Sequence, residues 1–336
     1  MDELPLDQVY TLLAVVDEGT FDAAAAALHV TPSAVSQRIK ALEKRTGRVL
    51  LMRTKPVRPT ESGQVVARFA RQLALLERDA RTELGLPGDE AEGGAAGEAK
   101  RPVPARLAIA VNADSLATWF LPALTRVPQD PPVCFELYRE DEAHTTALLR
   151  EGQVMAAVTS SPDPVAGCTV RALGLTRYLP VANPEFESRH LEKGRLVDRL
   201  REAPVIVFDR RDEIQDGFVR SLAADTAVGT GGDNGSTAAH SATVPGATAP
   251  GASAARHYVP TSEGFCDAIV AGLGWGLVPE PQAVPLLRAG ALSLLATDRT
   301  VDVPLFWQQW KLDSPALAAV ASAVAATAAE QLIPPR

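Results

Sequence analysis

The stretch that decides the fold is residues 20–47, TFDAAAAALHVTPSAVSQRIKALEKRTG. Its first half predicts a short helix from Phe21 to Leu28, and its run of small alanine side chains allows another helix to approach closely. A tight turn at His29-Val30 follows. Thr31 then caps a longer helix that has proline in its first position and ends at a glycine. Two helices joined by such a turn predict a helix-turn-helix unit.

The flanking sequence completes a small domain around this unit. Before it, apolar residues recur at helical spacing from Leu6 to Val16, and Gly19 ends the pattern. After it, residues 49–60, VLLMRTKPVRPT, predict two short strands with a basic connection, which is a wing. A helix from Glu61 to Leu84 follows with a narrow apolar stripe, which suits dimerisation by helix-on-helix packing. Packing of the same stripe within the chain is the alternative.

Charge is segregated along the chain. The net charge of −8 would argue against a nucleic-acid partner, and residues 1–28 indeed carry six acidic and no basic residues. Residues 29–58, however, carry eight basic residues against one acidic residue, a net +7 in a short block. Although a solvated basic face is the alternative, such a patch beside a helix-turn-helix favours a phosphate-binding surface.

The outward side chains of the longer helix and the basic side chains of the wing are the candidate DNA contacts. Short hydroxyl and amide side chains let a helix enter the major groove, and Gln37 can pair bidentately with adenine. The candidates are Thr31, Ser33, Ser36, Gln37, Lys40, Arg53, Lys55 and Arg58.

Beyond residue 102 the chain alternates between strand and helix patterns, which predicts α/β architecture with an open, mostly parallel sheet. Residues 85–102 are rich in Gly, Ala, Pro and charge, and predict a flexible linker. Two α/β lobes with a cleft between them are expected. Residues 223–255 are almost wholly Ala, Gly, Ser, Thr and Pro, and predict a disordered insertion in the second lobe.

Ligands of open α/β sheets bind beyond the carboxyl ends of the strands. Ser115 follows such a strand and is predicted to begin a helix, where it can hold a carboxylate. Asp141 and Glu142 can attract an ammonium or guanidinium group, although surface acids at a helix start are an equally good interpretation of either alone. The full set of candidate effector contacts is Ser115, Trp119, Asp141, Glu142, His144, Thr159, Asp209, Asp212, Ser262 and Glu263.

Several other classes of function lack support in the sequence. No apolar run reaches the length of a membrane span, and three separated cysteines without a CxxC pair do not predict a disulfide framework or a zinc site. The DEAH sequence at residues 141–144 comes without a phosphate-binding loop, and no HExxH or GxSxG motif occurs. We therefore expect a cytoplasmic protein that is neither an enzyme nor a metalloprotein and needs no cofactor.

Residues 6–54 together with PTESG at residues 59–63 resemble the winged helix-turn-helix of LysR-type transcriptional regulators. The remainder resembles that family's effector domain, which is like a periplasmic binding protein. Stretches such as NADSLATWF (112–120), EDEAHTTALLREGQV (140–154) and FWQQWKL (306–312) further resemble the ArgP/LysG subgroup.

The domain boundaries predicted on this basis are residues 1–60 for the DNA-binding domain, 61–84 for the dimerisation helix, 85–102 for the linker and 103–336 for the effector domain. Within the effector domain, lobe 1 is expected at 103–179 and 306–336, and lobe 2 at 180–305.

The resemblance implies a homodimer or homotetramer that binds double-stranded DNA and RNA polymerase. It implies that L-lysine, L-arginine or L-histidine acts as effector and that the protein activates an amino-acid exporter gene. The alternative within the family is a regulator of another metabolic operon with a different effector. An enzyme with an added DNA-binding domain lacks a catalytic motif here, and a purely architectural DNA-binding protein would not need the two-lobed domain.

Overall fold

The computed structural model describes residues 3–84, 86, 104–130, 132–139, 142–228 and 255–334, with the backbone alone for residues 142–144 and 225–228. The α-helices are α1 Leu6–Glu18, α2 Phe21–Ala27, α3 Pro32–Thr46, α4 Glu61–Glu83, α5 Ala113–Ser115, α6 Leu121–Leu124, α7 Glu142–Glu151, α8 Pro184–His190, α9 Leu196–Glu202, α10 Ile214–Val228, α11 Ser262–Val270, α12 Glu280–Arg288 and α13 Pro315–Gln331. The strands are β1 Leu51–Met52, β2 Arg58–Pro59, β3 Ala105–Val111, β4 Val133–Arg139, β5 Ala156–Thr159, β6 Cys168–Ala182, β7 Val205–Val207, β8 Arg256–Tyr258, β9 Gly276–Pro279, β10 Ser293–Leu294 and β11 Val301–Trp310.

The first three helices and the β1–β2 hairpin form a winged helix-turn-helix, as the sequence predicts. The Thr20 and Thr31 side chains cap α2 and α3 by accepting hydrogen bonds from backbone N–H groups. Gly19 and Gly47 adopt the left-handed conformation that ends α1 and α3. One apolar core joins these helices to the wing, and its members include Val9, Leu12, Val35, Ile39, Leu42 and Leu51.

Helix α4 leaves this domain from a tight junction. Thr60 caps it, and a side chain at Gly63 would place its Cβ 1.9 Å from the Leu50 carbonyl oxygen, so this glycine is required for the packing. The helix has a buried side that includes Val66 and Leu75. Another side exposes large apolar residues, namely Val65, Phe69, Leu76 and, at the helix end, Leu84.

The chain divides into two compact units. The first unit comprises Met1–Leu173 with Leu305–Glu330, and the second comprises Gly174–Pro304 with Gln331–Arg336. The chain thus passes between the units within β6 and β11, slightly before the predicted boundaries at 179/180 and 305/306. Of the C-terminal segment predicted in lobe 1, residues 331–334 lie with the second unit, where Ile333 forms a β-bridge with Leu175.

The strand pairing is mixed, so the prediction of a mostly parallel sheet is wrong. In the first unit, β3 pairs in parallel with β4 and β5, whereas β11 pairs antiparallel with β5. In the second unit, β6 pairs antiparallel with β9 and β10, and β7 pairs in parallel with β8. The antiparallel pairs arise from the two long strands that carry the chain between the units.

The predicted insertion begins too early. Helix α10 continues to Val228, six residues into the segment assigned to residues 223–255. Alanine is the best helix former, so the alanines at the start of this segment extend the helix instead of ending it. Residues 229–254, and all of the predicted linker at 85–102 except Leu86, lie outside the described residues. None of the described helices has the length and apolar character that crossing a membrane requires.

Candidate functional site

Helix α3 presents two different faces. Val35, Ile39 and Leu42 are buried on its inner face. Of the predicted DNA contacts on the helix, Ser36 is half-buried, whereas Thr31, Ser33, Gln37 and Lys40 are exposed. The Thr31 hydroxyl oxygen accepts a hydrogen bond from the Ala34 N–H at 3.2 Å, so this side chain has a capping role besides the predicted one.

The wing is fixed to the helical part of the domain. The Val57 N–H donates to the Gly19 carbonyl at 2.8 Å, and the Arg53 guanidinium lies over the Phe21 ring, 5.9 Å from its centroid. All three predicted basic contacts of the wing are exposed. Within the described part of the chain Lys55 and Arg58 form no ion pair, so their charges are available to a phosphate backbone.

Two of the eight basic residues in the block have partners within the domain, although Arg45 is exposed and Arg38 is half-buried. Arg38 lies 3.8 Å from the Asp7 carboxylate and donates to the Thr11 hydroxyl, and Arg45 donates to the Glu3 carbonyl at 2.5 Å. The acidic N-terminal segment therefore contacts part of the basic block. Charge counting along the sequence could not separate these two partnered arginines from bases such as Lys55 and Arg58.

The first unit has a polar edge at the carboxyl ends of β3 and β5. The two strands are parallel neighbours, with Ala110 opposite Ala157, so the residues that follow them meet at one edge. Ser115 lies there and is only 2% exposed. It is the third residue of α5 and not the start of the helix, because Asn112 is the cap and accepts a hydrogen bond from the Ser115 N–H at 2.7 Å. Its hydroxyl, and not its backbone N–H, is therefore the group that can meet a ligand.

Trp119 contributes a second unused donor. It lies in a π-helical segment, Leu116–Phe120, and π-helical turns occur often at functional sites. Trp119 is 3% exposed and packs edge-on against Phe120. Among the residues that the structure describes, neither Ser115 Oγ nor Trp119 Nε1 has a hydrogen-bond partner. Buried polar groups are normally paired, so these two are candidates for contact with a bound molecule.

Thr159 ends β5 and is buried, as its predicted place at the sheet edge requires. Its hydroxyl oxygen accepts a hydrogen bond from the Ser161 N–H at 3.1 Å. The loop that follows is held by Gln308, a fully buried residue that the sequence analysis missed. The Gln308 amide donates to the Ser161 and Asp163 carbonyls and accepts from the Val165 N–H. A glutamine in a strand of aromatic residues carries no pattern that reveals this role.

The predicted acidic contacts of the first unit are not tested by the geometry. Asp141 lies outside the described residues. Glu142 and His144 lie at the start of α7, where the structure describes the backbone alone. Their roles therefore remain predictions from the sequence.

The second unit brings its predicted contacts to one edge as well. Strands β7 and β8 are parallel neighbours, and Asp209, Asp212, Ser262 and Glu263 follow their carboxyl ends. The two aspartates are engaged within their own loop, since Asp209 accepts from the Arg211 and Asp212 N–H groups and Asp212 accepts from the Phe208 N–H. Burial raises the pKa of the Asp212 carboxyl, against the opposing effect of these backbone donors.

The two other contacts of this edge differ in exposure. Ser262 is buried and its hydroxyl donates to the Gln282 amide oxygen at 3.1 Å. Glu263 is exposed. Across the described ranges, no three histidine, cysteine, aspartate or glutamate side chains are placed to hold a metal ion.

Comparison with known proteins connects this geometry to a family. A model of the bacterial regulatory helix-turn-helix proteins of the lysR family matches residues 6–64. The lysine export transcriptional regulatory protein LysG of Corynebacterium efficiens is 44% identical over 324 residues, which cover 96% of this chain and 97% of that protein. The chain belongs to the LysR family. The family's regulators include relatives that this chain matches over nearly its whole length.

Two solved structures of LysR-family proteins are also similar. ArgP of Mycobacterium tuberculosis gives a TM-score of 0.80 at 40% identity, with 98% of each chain covered. Full-length LysG of Corynebacterium glutamicum with bound effector arginine gives a TM-score of 0.73 at 38% identity, with 98% of this chain and 100% of that chain covered. The winged helix-turn-helix followed by a two-lobed effector domain is therefore the architecture of this chain.

Proposed function

We propose that this LysR-family protein binds double-stranded DNA, senses L-lysine, L-arginine or L-histidine, and activates transcription of an amino-acid exporter gene. The observation that carries the proposal is similarity over nearly the full chain to LysG, a lysine export regulator, one form of which has arginine as its bound effector. Similarity at this level extends through both lobes and not only through the DNA-binding domain.

The DNA contacts would come from one exposed face of the N-terminal domain. Ser33, Ser36, Gln37 and Lys40 would meet base edges and phosphates from α3, with Thr31 at the start of the helix. Arg53, Lys55 and Arg58 would grip the phosphate backbone beside it. Support for this division comes from the exposure of the wing cations and from the burial of the opposite face of α3.

The effector would be held by its two chemically different ends. The Ser115 hydroxyl and the Trp119 indole N–H would donate to the α-carboxylate, with Thr159 beside them, because these two donors are buried and find no partner among the described residues. Asp141 and Glu142 would attract the cationic side chain, with His144 close by in sequence. In the second unit, Asp209, Asp212, Ser262 and Glu263 follow the edge strands and would complete the contacts.

The exposed apolar face of α4 supports assembly. Val65, Phe69 and Leu76 recur at steps of four and seven residues along this helix and are at least 39% exposed. A stripe of this kind suits packing against the same helix of a second copy, which would make a homodimer or a homotetramer. We further propose that the protein works in the cytoplasm, contacts RNA polymerase there and carries out no catalysis.

A thermal-shift screen of the full-length protein against the proteinogenic amino acids and norleucine tests the effector assignment. Specific binding raises the apparent stability by mass action, so lysine, arginine or histidine should raise the melting temperature in proportion to the logarithm of its concentration. Norleucine has a chain of similar length without the cationic group, and should have a much smaller effect. An equal response to lysine and norleucine, or no response to any basic amino acid, would contradict the proposal.

A further inference from the structure

Helix α4 has a second functional face besides its exposed apolar stripe. Arg68, Arg71, Leu75 and Arg78 follow one another at steps of three, four and three residues, so they lie on one side of the helix. Leu75 is 1% exposed, and the three arginines are partly buried. These arginines reach backbone carbonyls of the effector lobe within the first unit.

Two of the arginines meet the carboxyl end of α7. Arg71 donates to the Glu151 carbonyl at 3.4 Å, and Arg68 donates to the Arg150 carbonyl at 3.5 Å and to the Ala166 carbonyl at 3.1 Å. The last carbonyls of a helix have no partner within it and form the negative end of its dipole. Guanidinium groups placed there cap α7 and tie it to α4.

Gly152 allows this close approach. It follows α7 with a φ of +75°, and a Cβ at this position would lie 2.7 Å from the Arg68 Cα and Cβ atoms. Backbone atoms cannot move aside as the end of a flexible side chain can. Any larger residue must therefore displace α4 from α7.

Arg71 also reaches the DNA-binding domain. Its guanidinium forms an ion pair with Asp17 in the last turn of α1, and the Arg71 side chain is 19% exposed. One guanidinium thus contacts α1 and the end of α7 at the same time. Its two partners, Asp17 and Glu151, lie 54 and 80 residues away in sequence.

We propose that Arg68, Arg71 and Gly152 form a mechanical joint that passes a shift of α7 to α1 and so to the DNA-binding domain. Helix α7 begins at Glu142, beside the proposed contacts of the cationic end of the effector, and ends at the joint. Its ten residues form one continuous helix, whose backbone hydrogen bonds connect the two ends. The effector half of this inference rests on the proposed function, whereas the joint itself does not.

Hydrogen–deuterium exchange of the full-length protein without any ligand tests the joint. Gly152→Ala should displace the end of α7 and change exchange about fivefold or more in the last turn of α1, although the three atoms nearest to the added Cβ all belong to Arg68. Gly290→Ala is the matched control, because Gly290 also follows a helix and has a φ of +71°, and a Cβ at this position would meet no atom within 4 Å among the described residues. It should leave α1 unchanged.

Arg71→Met keeps the apolar length of the side chain and removes both polar contacts. In the Arg71→Met background, the additional Gly152→Ala substitution should no longer change exchange in α1. If Gly152→Ala leaves α1 unchanged in the parent, or changes it equally in the presence and absence of Arg71, the joint does not transmit and the proposal is overturned.

A second arm adds L-arginine to the parent and to Arg71→Met. The parent should change exchange in both α7 and α1, whereas the variant should bind L-arginine as the parent does and respond in α7 alone. A response of α1 in the variant would overturn the joint. If the parent binds none of L-arginine, L-lysine and L-histidine, the proposed function is contradicted, whereas the ligand-free experiment still shows whether the joint transmits.

Discussion

The face of α3 with the wing and the edge of the first effector lobe are built on opposite principles. The first presents exposed side chains, among them Lys55 and Arg58, cations that form no ion pair in the described part of the chain. The second buries neutral donors, the Ser115 hydroxyl and the Trp119 indole, which have no hydrogen-bond partner among the described residues. A polyanion with a counterion atmosphere is met by exposed charge, whereas a small ligand is met by few donors that water does not reach.

The largest effect is expected for Lys55→Ala with Arg58→Ala. Two lost charge-assisted contacts should weaken binding to any duplex by about 3 kcal/mol or more. They should also lower the slope of log affinity against log salt by about 0.9 for each lost phosphate contact. Fluorescence anisotropy at several salt concentrations measures both. The control variant, Lys193→Ala with Arg201→Ala, removes the same charge from the second unit and should keep the salt slope of the parent. A parental slope in the wing variant would exclude the wing from the DNA interface.

Ser115→Ala should weaken effector binding by about 1.5–3 kcal/mol, because it removes a hydrogen bond to a charged carboxylate. Lysine, arginine and norleucine should all lose affinity alike, since they share this group. The melting temperature of the free protein should not fall, because Ser115 Oγ has no partner among the described residues.

Thr327→Val in α13 is a matched control for this substitution, since the Thr327 hydroxyl is likewise buried and without a partner in the described structure. Calorimetric titration should find parental affinity for this control. Equal losses of effector affinity in Ser115→Ala and Thr327→Val would show that removal of any buried hydroxyl has this effect, and that Ser115 does not contact the ligand.

Gln37→Ala and Lys40→Ala should separate specificity from affinity on one helix face. Loss of a bidentate amide contact should relax the preference at one base position by about 1 kcal/mol or more. Lys40→Ala should weaken binding to all sequences by a similar factor. Selection from a pool of random duplexes reads out both, and a base preference that is identical in Gln37→Ala and the parent would remove Gln37 from the base contacts.

The smallest effect is expected for Asp212→Asn. Burial raises the pKa of this carboxyl above its unfolded value, so the folded protein binds more protons there and loses stability as the pH rises through the raised pKa. The variant lacks this loss. Urea unfolding at several pH values above about 3.8 should therefore show that the free energy of unfolding of the variant increases relative to that of the parent as the pH rises. A constant difference between the two would contradict the burial argument.

The sequence predicts the DNA-binding domain well because each of its helices begins and ends at residues that can be recognised locally. Thr31 and Gly47 are read directly as the cap and the end of α3, and both act that way. The mixed strand pairing could not be predicted in the same manner. It depends on where the long strands β6 and β11 find partners far away in sequence.

The polar edge at the carboxyl ends of β3 and β5 is predictable in place but not in detail. Ser115 was found because it follows a strand, yet its position inside α5 depends on the cap that Asn112 provides. Gln308 and the double contact of Arg71 involve partners far apart in the chain, and no local pattern marks them. Local signals thus predict which residues follow the strands and which begin the helices, whereas contacts between distant residues require the fold.

The most direct test measures the binding of both ligands, DNA and L-arginine, to a variant of each surface. The Lys55→Ala, Arg58→Ala double variant and the Ser115→Ala variant are each titrated with a DNA duplex and, separately and without DNA, with L-arginine. We predict that the wing variant loses DNA affinity and binds L-arginine as the parent does, whereas Ser115→Ala loses L-arginine affinity and binds the duplex as the parent does. Parental L-arginine affinity in Ser115→Ala, or parental DNA affinity in the wing variant, would contradict the account.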